Sequence, residues 1–319
     1  MEILKGQSQP IAVLSPNPAV DMTYEIPQLI ADQKVHATST RFDPGGNGIN
    51  VGRALKRLQT SAHNYCVIAG QIGQLLKQLL ADQLDHVDCE EVEGETRING
   101  TFIEREPPVQ YEVSGIGPSI PPSQLNLLLN RFVEHSAGGF GVLTGSLQQE
   151  LPVDLYASLV QRIHQQGGRA IVDSHDEALR EAIAAHPFLI KPNRFELQIL
   201  LGREFSHLES IAQAAREIQQ TGVDYVCVSM DGDGALLVGP DNSYHAPAAA
   251  VVVRSSVGAG DSMVAALVAA FSRGHSPQRA LRLGVACAAG TVSQPGTELF
   301  SPMDVENYYT AVSVTTLDI

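Results

Sequence analysis

Short apolar runs alternate with amphipathic stretches along most of this chain, and that rhythm limits its fold more than any other feature. Ile11–Ser15, Asn64–Ala69, Gly141–Thr144, Ala170–Asp173, Phe188–Ile190 and Tyr225–Ser229 are brief, rich in valine or isoleucine, and bounded by polar residues, glycine or proline. Such runs read as buried strands. Between them, Gln74–Leu84, Gln124–His135, Asp154–Gln166 and Ser206–Thr221 carry helical periodicity. Strands separated by helices imply βαβ crossovers, and hence an α/β protein of three layers: a mostly parallel central sheet with helices on both faces.

Two regions break the rhythm. Met22–Ile26 with Val35–Arg41, and Thr96–Glu104 with Gln110–Ser114, alternate polar and apolar residues with no helix inside either pair. They predict a small β-sheet lid, from about 22–41 and 96–114, inserted in a single domain spanning 1–319. No linker, charge block or internal repeat divides the chain.

Composition narrows the function. With 319 residues, 44% of them apolar, the chain can bury a large core. Its 35 acidic against 21 basic residues give a net charge of −14, which argues against a nucleic-acid partner. The longest apolar helix candidate, Met263–Phe271, is far too short to span a bilayer, and the first residues lack the pattern of a secretion signal. Cys66, Cys89, Cys227 and Cys287 are widely spaced and make no metal-binding or disulfide framework, so a reduced, cytoplasmic protein is expected. Lysine is scarce, with Lys5, Lys34, Lys56, Lys77 and Lys191 the complete set.

In open α/β sheets ligands sit beyond the carboxyl ends of the strands, so the loops there carry the chemistry. Ser256-Val257-Gly258-Ala259-Gly260-Asp261 precedes a helix of small residues. Its glycines let backbone amides crowd a ligand, and the helix start adds unpaired N–H groups, the makings of a phosphoryl site. Asp261 at that point suits a general base for an attacking hydroxyl, or equally an ordinary helix cap. Asp43-Pro44-Gly45-Gly46-Asn47-Gly48-Ile49-Asn50 leads into a helix Gly52–Leu58, with Asn50 suited to sugar hydroxyls; it fails as a dinucleotide fingerprint because Val51 stands where glycine or alanine is needed. Lys191-Pro192-Asn193-Arg194-Phe195-Glu196 follows a strand, where Lys191 suits phosphates and Asn193 with Glu196 suits either Mg²⁺ or a capping box. Asp21 follows the first strand, where it suits sugar hydroxyls or a plain turn. No phosphate-binding G-x-x-x-x-G-K-[ST] loop, H-E-x-x-H or G-x-S-x-G occurs.

In order along the chain, NPAVD (17–21), GGNGINVGRAL (45–55), TRIN (96–99), TGS (144–146), KPNRFEL (191–197), VSMDGDGA (228–235) and SSVGAGDSM (255–263) resemble the blocks of PfkB-type carbohydrate kinases of the ribokinase-like fold. NPAVD and TRIN are similar to the sugar-phosphate branch, the phosphofructokinases and tagatose-6-phosphate kinase. The resemblance implies ATP-dependent phosphorylation of a hexose phosphate, with Asp261 as base and Gly258, Ala259 and Gly260 as anion hole. It further implies that Asp21, Gly46 and Asn50 hold sugar hydroxyls, and that Lys34, Arg97, Asn99 and Ser146 meet the substrate's phosphate. Lys191, Asn193, Ser229, Asp231, Gly234 and Glu196 would serve ATP and Mg²⁺, and the lid would mediate a homodimer. The chain departs from the family pattern at Leu147–Glu150, at Asp231 and at Gln71–Ile72. Two alternatives stand beside this expectation: a kinase of an unphosphorylated sugar or nucleoside, and a non-catalytic sugar-phosphate sensor.

Overall fold

The computed structural model describes residues 2–105 and 108–318; positions 1, 106, 107 and 319, which fall within the expected domain and its second lid segment, lie outside the described residues. The chain opens with β1 (Ile11–Ser15), β2 (Ala19–Ile26), β3 (Ser39–Gly45), α1 (Asn47–Arg57), β4 (His63–Ala69), α2 (Gly70–Leu80) and β5 (His86–Val92). It continues through β6 (Arg97–Arg105), β7 (Pro108–Val113), α3 (Pro122–His135), β8 (Phe140–Thr144), α4 (Leu155–Gln165), β9 (Arg169–Asp173) and α5 (Asp176–Ala184). The remainder is β10 (Leu189–Ile190), α6 (Arg194–Leu201), α7 (Leu208–Gln219), β11 (Tyr225–Ser229), β12 (Ala235–Val238), β13 (Ser243–Ala246), α8 (Ala259–Phe271), α9 (Pro277–Val292), α10 (Pro302–Ala311) and β14 (Thr315–Leu317).

Among the described residues, ten strands form one sheet in the order β14-β13-β12-β11-β10-β9-β8-β1-β4-β5. From β11 to β5 every pairing is parallel, while β12, β13 and β14 extend the other side antiparallel. All five residues of β1 are buried because both its faces are covered. Ala12 and Leu14 pack with α3 through α7, whereas Ile11 and Val13 pack with α1, α8, α9 and α10. That alternation is the period-two pleat dividing one strand between two cores. α8 is apolar on all sides and buried along almost its whole length, as a helix at the centre of a layer should be.

The strand order reverses at β1, which has β4 on one side and β8 on the other. A crevice opens at such a switch point, beyond the carboxyl ends of the strands.

A second sheet, β3-β2-β6-β7, stands apart from the first. β2 pairs antiparallel with β3 and parallel with β6, and β7 closes the edge antiparallel to β6. The first expected lid segment needs correcting at both ends. β2 begins at Ala19, and β3 runs over Ser39–Gly45 rather than 35–41, so Asp21 is a strand residue and not a turn residue. Pro44 is compatible with β3 because that strand lies on the edge of its sheet, where a missing N–H breaks no ladder.

Gly234, just after the short 3-10 turn Asp231–Asp233, has φ +88, and a Cβ there would fall 2.0 Å from the Ala246 carbonyl oxygen. Gly234→Ala is therefore expected to destabilise the protein by about 1–3 kcal/mol through overpacking against fixed backbone. Urea unfolding should show a lower midpoint at an unchanged slope.

Candidate active site

β8, β9 and β10 each deliver a loop to the crevice, α1 and α8 each present an N-terminal end, and the small sheet supplies the opposite wall. Asp21, Gly46, Asn50, Arg97, Asn99, Ser146, Glu196, Gly258 and Asp261, all expected from the sequence, border one cleft of ≈ 290 Å³. Asn47, Ser114, Gly145, Asp173, Ser174, His175 and Val257 complete its lining.

Asp261 lies in the first turn of α8 and is 5% exposed. Asn47 donates to its Oδ1 at 3.0 Å and Asn50 to its Oδ2 at 2.9 Å. Asn50 thus grips the carboxylate, a contact the sequence did not reveal, and its own Oδ1 accepts from Arg53 Nη1 at 3.1 Å. That bond fixes which way the Asn50 amide faces, since only its NH₂ remains for Asp261. Burial, with the nearby Asp173 carboxylate, pushes the Asp261 pKa up to about 6 against the pull of both asparagines and Lys191.

Gly258 caps α8 in the left-handed region at φ +78, where a Cβ would also meet Leu299 at 2.8 Å. Ala259 and Gly260 follow in the first helical turn, whose amides have no partner within a helix. Lys191 is 5% exposed, and its Nζ lies 3.1 Å from Asp173 Oδ1. A Cβ on Gly260 would sit 3.4 Å from that same Nζ, which places the ammonium beside the start of α8. Burial opposes the Lys191 charge, but Asp173 and Glu196 outweigh it and raise its pKa.

On the small sheet, Asp21 is in register with Asn99, whose Nδ2 donates to Asp21 Oδ1 at 2.8 Å. Burial holds the Asp21 carboxyl above its ordinary range despite that bond. Arg97 spends Nε and Nη2 on the Asn17 carbonyl, at 3.1 and 2.8 Å, so its guanidinium is anchored rather than wholly free to fork onto a ligand. Tyr156 Oη holds the Thr144 and Gly145 carbonyls, pinning the turn that presents Ser146.

Asn193 and Glu196 form a reciprocal capping box at the start of α6, each bond 2.8 Å, so the capping alternative describes them. The Asn193 side-chain oxygen is engaged in the cap, whereas Glu196 reaches the cleft, its pKa raised by burial. Lys34 is exposed on the segment before β3, and neither it nor Ser229, Asp231 or Gly234 lines the cleft. Asp231, at φ +49, is exposed in the turn after β11. Sequence reasoning overlooked Asn47, Asp173 and His175. Asn47 lay inside a quoted glycine-rich block, and Asp173 closes a strand that was itself expected.

The donor set bears on metal binding. Among the described residues no three histidine, cysteine or acidic side chains converge as a metal cage. Glu196, acting without a second convergent carboxylate, fits Mg²⁺ instead, since that ion keeps several waters and arrives on substrate phosphates.

A buried carboxylate beside a glycine-capped helix start, at the switch point of a three-layer sheet and facing a polar second sheet, suits phosphoryl transfer to a small molecule. Residues 15–304 match the family described as pfkB family carbohydrate kinase, and the chain belongs to that family. It is 33% identical to 1-phosphofructokinase of Bacillus subtilis (strain 168), covering 89% of this chain and 93% of that one. It is equally 33% identical to ATP-dependent 6-phosphofructokinase isozyme 2 of Escherichia coli (strain K12), covering 95% and 99%. Phosphofructokinase-2 from Escherichia coli, solved in complex with substrates and products, superposes with a TM-score of 0.91 at 33% identity over 95% of this chain and 99% of that one. This chain is accordingly an ATP-dependent carbohydrate kinase of α/β fold. No helix among the described residues is long and apolar enough to cross a membrane.

Proposed function

We propose that this chain transfers the terminal phosphoryl group of ATP to a hydroxyl of a fructose phosphate. The observation that carries this is the single cleft in which Asp261 meets both the α8 N-terminus and the Asp21–Asn99–Arg97 edge of the small sheet. Asp21 and Asn99 accept and donate to sugar hydroxyls, and Arg97, anchored by Asn17, turns its remaining N–H groups to the substrate's phosphate. Asp261 takes the proton of the attacking hydroxyl, while the Gly258–Gly260 amides and Lys191 offset the charge on the transferring group. Mg²⁺ would be held by Glu196 together with ATP and water, and supplies neutralisation of phosphate charge. ATP lies across the 229–234 turn, which lends Met230, Gly232 and Asp233 to a second groove of ≈ 490 Å³.

The small sheet acts as a lid within one domain, closing over the sugar and excluding water. Its outer face carries the exposed apolar side chains Phe42, Ile98, Tyr111 and Val113, which favours burial in a homodimer. Phosphofructokinase-2 from Escherichia coli has been solved in a tetrameric inhibited form. Light scattering of the purified protein distinguishes monomer, dimer and tetramer. A donor such as ATP suits action in the cytoplasm.

A panel of acceptors with ATP and Mg²⁺ tests the activity. Fructose phosphates should give the highest kcat/KM; a nucleoside or free sugar turned over faster would overturn the assignment of Arg97. Arg97→Lys cannot hold the Asn17 carbonyl and a phosphate at once, so the KM for the sugar phosphate should rise about tenfold with kcat nearly unchanged. An unchanged KM would place the phosphate elsewhere.

A further inference from the structure

The four cysteines are scattered in sequence, but the fold sets two of them side by side. Cys66 on β4 and Cys89 on β5 are register partners on adjacent parallel strands, and their sulfur atoms are 3.4 Å apart. Both are free thiols. Neighbouring strands lie about 4.8 Å apart, inside the Cα separation that disulfides span, so bond formation needs side-chain rotation and not movement of the sheet.

The two thiols have unequal surroundings. Cys66 is fully buried, whereas Cys89 lies on the last strand of the sheet and lines an open surface groove of ≈ 640 Å³ with Lys77 and His86. The hydrogen bond shared with Cys66, aided by Lys77, draws the Cys89 pKa down against partial burial and the Asp88 and Glu91 carboxylates, while the same contact and burial raise that of Cys66. Cys227 and Cys287 lie fully buried in a separate apolar cluster, with their thiols pushed up by burial. A reactive thiol must be accessible, and of the four cysteines only Cys89 is not fully buried and lines an open groove.

We infer that Cys66 and Cys89 form a reversible redox-modification site whose co-substrate is a hydroperoxide. The Cys89 thiolate attacks the peroxide O–O bond, becoming a sulfenic acid as an alcohol or water leaves. Cys66 then attacks the sulfenyl sulfur; the S–S bond forms, the S–O bond breaks, and hydroxide departs with the Cys66 proton as water. Two thiols lose two electrons and one peroxide gains them. The bond ties edge strand β5 to β4 at the root of the lid. There Glu95 accepts from the Gln71 and Ile72 amides, Thr96 Oγ1 accepts from the Ala69 amide, and β6 begins with Arg97.

Trypsin cuts after Arg57, Lys77 and Arg97, so the two cysteines fall in separate peptides, 58–77 and 78–97. The unmodified protein is treated with one equivalent of hydrogen peroxide, alkylated, digested without reductant and mapped by mass spectrometry. Peptides 58–77 and 78–97 should appear joined, with Cys227 and Cys287 alkylated, and dithiothreitol should separate them. In Cys66→Ser, Cys89 should stop at a sulfenic acid that dimedone traps; in Cys89→Ser, Cys66 should stay reduced. Without oxidant, Cys89 should react with iodoacetamide about tenfold or more faster than Cys66. Sulfinic acid at Cys89 with Cys66 still free in the unmodified protein, or a link between chains instead of within one, would overturn the inference.

Discussion

Replacing Asp261 with asparagine is expected to lower kcat by about 10²–10⁴-fold, the usual contribution of a positioned general base. Binding of both substrates should survive, because the side chain keeps its shape. The new amide would face two NH₂ groups, from Asn47 and Asn50, and one of them must turn. Arg53 locks Asn50, so Asn47 is the one that yields. The unmodified enzyme should lose activity as pH falls through about 6, where Asp261 takes up a proton. Stability runs the other way for this group. Its folded pKa of about 6 exceeds the ordinary 3.8, so ionisation disfavours the folded state, an effect absent below 3.8 and complete above 6. Asp261→Asn should therefore be at least as stable as the parent at pH 8. A variant that folds and binds but retains more than a tenth of the parent kcat would remove Asp261 from the role of base.

The second large effect is on stability. Lys191→Met should cost about 3–5 kcal/mol, because it leaves the Asp173 carboxylate, only 11% exposed, unpaired. The same change removes a charge that favours ionised Asp261, so the acid limb of the kcat profile should move to higher pH. Adding Asp173→Leu to Lys191→Met should recover most of the lost stability while leaving activity low, since a buried pair exchanged for apolar groups is often neutral. Urea midpoints for the two variants decide the matter. A loss below about 1 kcal/mol for Lys191→Met would mean that solvent screens the pair.

The buried half of the fold could be read from the chain because burial leaves a local signature. Ile11–Ser15 and Tyr225–Ser229 were delimited to the residue, each an apolar run ended by polar groups. β5 escaped notice because His86–Val92 is a polar edge strand whose only buried residue is Val92. α2 begins at Gly70 rather than Gln74, since its first amides are capped by Glu95, a residue that no inspection of the helix itself could suggest. At the site, the motif blocks located the glycines and Asp261 because backbone approach and helix starts require particular residues in sequence. The roles of Asn47, Asn50 and Asp173 depend on side-chain pairing across distant segments, for which the chain carries no local mark. Asn50 illustrates the difference: its position in the cleft was legible, but its partner was not.

That same pairing has a consequence for synthesis. Asn50 and Asp261 are separated by 211 residues, and every other residue lining the cleft precedes Asp261 in the chain, from Asp21 onward. A ribosome releases the small sheet, Arg97 and Glu196 well before it releases Asp261. On the roles proposed above, a nascent chain that stops short of α8 holds part of the cleft without the group that would deprotonate the acceptor. On those roles, phosphoryl transfer waits until Asp261 has been synthesised and has met Asn50.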